Sequence, residues 1–372
     1  MAREKMQLKE TKGTFKAVGK VTRIDKDNAY DQDTQTKGEH VGRTYRKLRF
    51  GVKTSETNEI TVQMFAYEPK DVFMWNSKLK EEDENYKGTR KTFEDWEENQ
   101  EQYREEGYVV MQSRVGLHYD DKNKLVSKGV PKFVTAKMVY DNLNNGDFVT
   151  VEGTISYGSY EKDGQKVKTK NFNIEKVHLA KELDFDAEDF EEITYFEQQF
   201  VYVDSELNKT DKKLYITGRV IDFNKKFQDA QFVIDFNNGE GGVDEEMKQF
   251  AENFKKTLKF GDVVKTFGDN LNRVIIKKVE NEDNKKADIL GSLGGRSKPS
   301  HAENSKTYVN QLSINGVDSL DEKVYREADF VVDNLVEGLG GKQKKTENPW
   351  KDDVSSSSDE PIDISDTDDL PF

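Results

Sequence analysis

From Thr14 to Ile24 the chain mixes polar and β-branched residues (TFKAVGKVTRI), and from Arg43 to Lys53 (RTYRKLRFGVK) it alternates with period two. Successive side chains of a strand point to opposite faces, so Leu48, Phe50 and Val52 share one side and Tyr45, Lys47, Arg49 and Lys53 the other. The stretch Ile60 to Tyr67 repeats the pattern: Ile60, Val62, Met64 and Ala66 form an apolar face, Thr61, Gln63, Phe65 and Tyr67 a polar and aromatic one. Residues 147–179 read as strand, turn, strand, with Asp163-Gly164 as a hairpin signal. Beyond an acidic connector (DFDAEDFEE, 184–192) the alternation returns at Leu214, Ile216, Gly218 and Val220. QFVIDF follows, Met247 to Leu258 reads as a helix, and FGDVVKTFGDNLNRVIIKKV closes the unit. Gly-Asp-Val-Val at 261–264 echoes Gly-Asp-Phe-Val at 146–149, which favours two copies of a small barrel over one large domain.

Between the first strands lies a segment, 78–106, that is charged almost throughout and carries Phe93, Trp96 and Tyr103. Spacings of three and seven place these rings on one helical face, so a helical excursion is expected, packed on the surface. From about Glu280 the composition turns polar and Gly/Ser-containing, and GSLGGRSKPS reads as a flexible linker. A short helix over Val324 to Leu335, with Val324, Ala328, Val331, Val332 and Leu335 on one side, is expected to dock on its own protein. Residues 341–369 hold too little apolar surface to fold. The expected fold is mainly β: two OB-like barrels in tandem, the first (1–181) with a charged helical insertion at 78–106, the second at 193–280. A linker (281–340) and a disordered acidic tail (341–372) complete the chain.

Composition narrows the function. Apolar residues make up only 34% of the 372 residues, so part of the chain stays outside any core. With no cysteine, disulfides, zinc-thiolate sites and thiol nucleophiles are excluded. No run long enough to cross a membrane and no leader pattern is present, so a soluble cytoplasmic protein is expected. His40, His118, His178 and His301 are scattered, and no metal-protease, P-loop or dinucleotide motif occurs. Asp184, Asp186 and Asp189 read as a solvated connector, and no enzyme activity, cofactor or metal is expected.

The net charge of −14 conceals an uneven distribution. Residues 1–53 carry 14 basic and 7 acidic side chains, whereas 182–284 carry 14 basic and 24 acidic. A strand presenting Tyr45, Lys47, Arg49 and Lys53 offers both components that single-stranded nucleic acid needs: cations for phosphates and rings for bases. Phe65 and Tyr67 extend that platform, unless they pack against the 78–106 helix. Four cations within seven residues (Arg43, Arg46, Lys47, Arg49) repel one another unless an anion binds.

GDFVTVEGTISYGSYEKDGQKVKTKNFNIEKVHL resembles the last two strands of the OB-fold of bacterial single-stranded DNA-binding proteins, and LRFGVKTS resembles their second strand. The resemblance puts Tyr160 where that family has a stacking aromatic, and Lys168 and Lys170 on the next strand join the candidate DNA-binding set. The terminal PIDISDTDDLPF is similar to the C-terminal tail of the Gram-positive members. There it implies a docking peptide for replication, recombination and repair enzymes. Phe372 would fill an apolar pocket beside Leu370 and Pro371, while Asp363, Asp366, Asp368 and Asp369 supply long-range attraction. Asn348-Pro349-Trp350 is a second candidate docking segment.

The resemblance implies sequence-independent binding of single-stranded DNA without catalysis, by a bacteriophage or mobile-element version acting in a bacterial cytoplasm and able to oligomerise. The acidic second barrel is expected to serve assembly or protein contacts, with Lys225, Lys226, Lys255, Lys256 and Lys259 leaving room for a minor DNA role. Two other readings remain: an acidic adaptor or DNA mimic acting only through protein contacts, and a carboxylate-metal nuclease, which lacks its motif.

Overall fold

The computed structural model describes residues 8–38, 40–162, 165–239, 242–278 and 304–331. The first unit runs β1 (Gly13–Thr22), β2 (Tyr30–Thr34), β3 (Thr44–Lys53), β4 (Glu59–Tyr67), β5 (Asp71–Asn76), α1 (Ser77–Glu82), β6 (Thr89–Thr92), α2 (Phe93–Glu105) and β7 (Tyr108–Val110). It continues through β8 (Ser113–Gly116), β9 (Lys128–Val130), α3 (Lys132–Asn142), β10 (Phe148–Lys162) and β11 (Gln165–Leu179). The second unit comprises β12 (Tyr195–Asn208), β13 (Lys213–Ile221), β14 (Phe227–Asp235), α4 (Glu245–Thr257), β15 (Val263–Lys278) and β16 (Asn304–Asp321), then a 3₁₀ turn, Glu327–Phe330.

Each unit closes on itself. In the first, β1 pairs with both β3 and β10, β3 with β4, β10 with β11, and β11 runs parallel to β4 at Phe172↔Val62. In the second, β12 pairs with both β13 and β15, β13 with β14, β15 with β16, and β14 runs parallel to β16 at Val233↔Ser313. A closed five-stranded Greek-key barrel with a helix after its third strand is the OB-fold, and it occurs twice. The alternating apolar residues fill both interiors: Leu48, Phe50, Val52, Ile60, Val62 and Met64 in one, Leu214, Ile216, Phe200 and Phe232 in the other, all 2% exposed or less. Phe200 and Phe232 stack with centroids 4.5 Å apart, near the short end of the range for offset-stacked rings.

The barrels are joined through equivalent strands. β1 and β12 pair antiparallel with Phe15 opposite Phe196. Phe15 and Phe196 hold the same position in their barrels, since Lys20 faces Phe148 as Val201 faces Val263. The pairing is therefore symmetric about a local twofold axis.

Two expectations are corrected. The segment 281–340 is not all linker: residues 304–321 form β16, the fifth strand of the second barrel, with Leu312 and Ile314 in its core. No helix spans 324–331. Tyr325 and Phe330 are buried against Leu8, Val201, Ile221 and Val263; of the anticipated stripe, Val324 packs half-buried on this cluster, while Ala328 and Val331 are exposed. Residues 332–335, the linker GSLGGRSKPS, His301, Asp163-Gly164 and the tail lie outside the described residues.

The insertion is wider than a helix. β5, β6 and β7 form a separate three-stranded sheet in the order β6-β5-β7, and α2 lies on one side of it. Thr92 caps α2, its hydroxyl accepting from the Asp95 amide at 3.2 Å. Phe93 and Trp96 are buried, and Phe93 meets Phe133 of α3 edge-on at 5.9 Å. β8 then pairs in parallel with β11 at Lys176–His178, beyond the point where β4 pairs with it.

Candidate nucleic-acid interface

The second and third strands of the first barrel, β3 and β4, set Tyr45 opposite Tyr67 and Lys47 opposite Phe65. Their rings form one cluster: Tyr45 to Phe65 5.5 Å, Phe65 to Tyr67 5.0 Å, Tyr45 to Tyr67 6.4 Å. All three are half-buried. The Arg43 guanidinium lies 4.7 Å from the Tyr67 centroid and donates to the Glu68 carbonyl at 3.1 Å. The His40 ring lies 4.6 Å from that of Tyr67. The ring contacts of the cluster involve one another, His40, Arg43 and Lys47; none of these belongs to the 78–106 segment. Desolvation raises the pKa of both Tyr45 and Tyr67, so both hydroxyls stay protonated at neutral pH. Tyr67 donates to Gln35 Oε1 at 3.4 Å and Tyr45 to Asp31 Oδ2 at 3.5 Å.

The expected cation array is corrected at Lys47, and Arg46 lies on the side that period two assigns to it. Lys47 is not presented to solvent: its side chain is 7% exposed and its Nζ sits 3.2 Å from Asp31 Oδ2 and 5.3 Å from the Tyr45 centroid. Arg46 points to the other face, donating to Gln32 Oε1 at 2.9 Å and to the Phe133 carbonyl at 3.0 Å, with its guanidinium 3.8 Å from the Phe133 ring. It fastens α3 to β3. The mutual repulsion of the four cations is thus relieved internally, by Asp31 and by separation onto two faces.

The remaining sites are more dispersed. Arg49 is half-buried and its amide donates to the Ala29 carbonyl at 2.7 Å. Lys53, at the end of β3, pairs with Glu56 at 2.7 Å. Tyr160 lies opposite Val167 near the tip of the β10–β11 hairpin. Lys168 and Lys170 cross the seam, donating to the Asp229 carbonyl at 2.7 Å and to Asn310 Oδ1 at 3.1 Å of the second barrel. Asp363, Asp366, Asp368, Asp369, Leu370, Pro371 and Phe372 lie outside the described residues. Sequence reasoning missed Asp31, Gln35 and His40. The only sequence signal for the first was an acidic residue close to a cation-rich strand.

The same two strands in the second barrel have different chemistry. Counted from the hairpin turn, where Ile221 faces Phe227 as Lys53 faces Glu59, the Tyr45–Tyr67 pair becomes Lys213–Asp235 and the Lys47–Phe65 pair becomes Tyr215–Val233. Lys213 and Asp235 form an ion pair at 3.3 Å. Arg219 grips Asp229 through two hydrogen bonds of 2.6 and 3.0 Å. Cations on this face already carry carboxylate partners. Among the described residues no cluster of three His, Cys, Asp or Glu side chains could hold a metal ion, and no helix is long and apolar enough to cross a membrane.

The chain is similar to two solved structures. One is a deletion variant of the single-stranded DNA binding protein from Thermus aquaticus, at 14% identity and TM-score 0.34, covering 71% of this chain and 88% of that one. The other is the wild-type protein, at 15% identity and TM-score 0.32, covering 70% and 85%. No curated protein matches the chain. The family model YorF matches residues 80–347. That span starts within the insertion and runs through α3, the rest of the first barrel and the whole second barrel, well over half of the sequence, and the chain belongs to the YorF family.

Proposed function

We propose that the protein binds single-stranded DNA without regard to sequence, using the β3–β4 face of the first barrel, and that its C-terminal tail recruits enzymes of replication, recombination and repair. The observation that carries the reading is the Tyr45–Phe65–Tyr67 cluster with the Arg43 guanidinium against it. It sits on the second and third strands, the surface through which OB barrels take up oligonucleotides. Three adjoining rings offer π-faces that any base can stack on, each worth roughly 1–3 kcal/mol, without reading its edge. Arg43 and Arg49 add charge for the phosphates, and Lys53 joins them where a phosphate displaces Glu56 from its exposed pair. Lys47 acts from beneath, through the ring it supports. Lys168 and Lys170 hold the barrels together first and meet DNA only where a strand passes over the seam. The second barrel, with its cations paired, serves assembly and protein contacts.

The test is a polarisation titration of labelled oligo-dT. Replacing both Phe65 and Tyr67 with Ala should weaken binding at least about tenfold with the circular dichroism spectrum preserved. Log affinity should fall against log salt by about 0.7 per phosphate contacted. Unchanged affinity would refute the assigned face. A native chain that does not bind oligo-dT at all would favour the acidic-adaptor reading.

A further inference from the structure

The small sheet of the insertion has apolar side chains on both faces, although α2 covers only one. Along β5, Val72, Met74 and Asn76 are buried at 0, 1 and 4% exposure on the side of α2. Phe73 and Trp75 alternate with them and stand on the opposite side, both half-buried. Antiparallel sheets covered on one side normally turn a polar face to water. Here the outer face carries cross-strand pairs of Phe73 with Arg90 and Trp75 with Val109. The Arg90 guanidinium lies 5.7 Å from the Phe73 centroid, and Tyr86 tilts onto Trp75 at 5.3 Å and 48°. Phe73 rests on Gly88, whose φ of +94° and missing Cβ let the turn tuck beneath the ring. Arg90 is exposed and makes no ion pair among the described residues.

We propose that this outer face is a second stacking platform for single-stranded DNA, continuing the path that begins on β3–β4. Two observations favour bases over a protein surface. Arg90 stands against Phe73 as Arg43 stands against Tyr67, and neither makes an ion pair among the described residues, whereas Arg219 against Phe227 is held by Asp229 and Arg46 against Phe133 joins α3 to β3. The platforms are also adjacent along the chain: Phe73 follows Tyr67 by six residues, a reach of at most about 20 Å. A strand leaving Tyr67 therefore needs only a few more nucleotides to meet Phe73, and Arg90 and Lys87 supply charge there. The inference rests on the reading of the first barrel as a single-stranded DNA binder and lengthens its footprint.

Trp75 is its own reporter. In the full chain carrying Trp96→Phe and Trp350→Phe, Trp75 is the single tryptophan left. Its emission should be quenched by long oligo-dT over the same concentrations that saturate polarisation of the labelled oligonucleotide. In the chain with its tryptophans intact, Arg90→Glu alters only an exposed side chain. It should weaken binding of long oligo-dT about tenfold and leave an oligonucleotide short enough to occupy only the β3–β4 face within twofold. Trp75 emission that stays constant at saturation, or long-oligonucleotide affinity unmoved by Arg90→Glu, overturns the second platform while the first survives. Absence of any oligo-dT binding by the native chain removes both.

Discussion

Glu192, the last residue of the acidic connector, is expected to control how firmly the two barrels are held together. Its Oε1 accepts from Thr54 Oγ1 at 2.6 Å and from Asn58 Nδ2 at 2.7 Å, both in the β3–β4 turn. Its Oε2 accepts from the Arg273 guanidinium on β15. One carboxylate thereby ties the first barrel's turn to the second barrel's long hairpin, and its side chain is 16% exposed. Hydrogen bonds to a charged partner contribute about 1.5–3 kcal/mol each, so three give an upper bound of about 5–9 kcal/mol for Glu192→Ala. Two features reduce this. Asn58 keeps the Asn270 carbonyl at 3.2 Å and Thr54 Oγ1 at 3.1 Å, and Arg273 is 33% exposed, so water can solvate it. A loss of about 2–4 kcal/mol is the reasoned value, below the 3–5 kcal/mol for breaking a fully buried pair. Calorimetry on the full chain should show the lower-melting transition moved down by several degrees and the two barrels melting separately. Glu192→Gln, which preserves the shape, should cost less. A Glu192→Ala chain that melts within about 0.5 kcal/mol of the native one would show that β1–β12 pairing and the other contacts across the seam set the arrangement without Glu192.

Stability should fall on acidification in two stages. Desolvation lowers the pKa of His178, so its contribution is complete above the ordinary imidazole value of about 6.5 and is lost as pH drops through the folded pKa; the contributions of Glu152, depressed by its hydrogen bond to Lys176, and Glu197, depressed by Lys265, are lost only below the ordinary carboxylate range. Urea midpoints across that range should lose the upper stage in a His178→Asn chain, and an unaltered profile would contradict the assignment. Deleting Leu370, Pro371 and Phe372 should leave oligo-dT affinity intact while abolishing co-purification of host repair and replication enzymes; retention of those enzymes would refute the docking reading.

Where hydrophobic period and burial coincide, the elements were legible from sequence. β3, β4 and β13 bury the alternate residues that the pattern singles out. β16 was not, because the flanks of NSKTYVNQLSINGVDSLD are as polar as the Gly/Ser-rich stretch before them, and among its described apolar side chains only Leu312 and Ile314 are buried. β2 (YDQDT) escaped for a similar reason: no residue of it is buried, and its worth lies in hydrogen-bonding the edge of β3 and offering Asp31 to Lys47. Period two assigned Lys47 correctly to the aromatic side of β3. Its burial depends on a neighbour that is not adjacent in sequence, which no one-dimensional pattern encodes. The insertion was recognised by charge and ring spacing, yet its sheet was hidden because β6 and β7 are only 4 and 3 residues long.

On the proposed reading, the local twofold axis turns these differences into a division of labour. Symmetric pairing at Phe15 and Phe196 gives both barrels the same frame, so any difference in surface chemistry at equivalent positions reflects the side chains and not the backbone. At the end of the ladder away from the turn, one barrel pairs Tyr45 with Tyr67; at the equivalent position the other has the ion pair Lys213–Asp235. A polyanion approaching the second face must displace Asp229 from Arg219 or Asp235 from Lys213 before it gains a cation, and carboxylates left in place repel it. On the first face the rings are available without breaking an ion pair, and Asp31 is engaged below them by Lys47. Both long hairpins reach across the seam, β10–β11 through Lys168 and Lys170 and β15–β16 through Arg273. On the proposed reading, the acidic barrel adds rigidity to a DNA platform that it does not itself provide, in a chain whose net charge is −14.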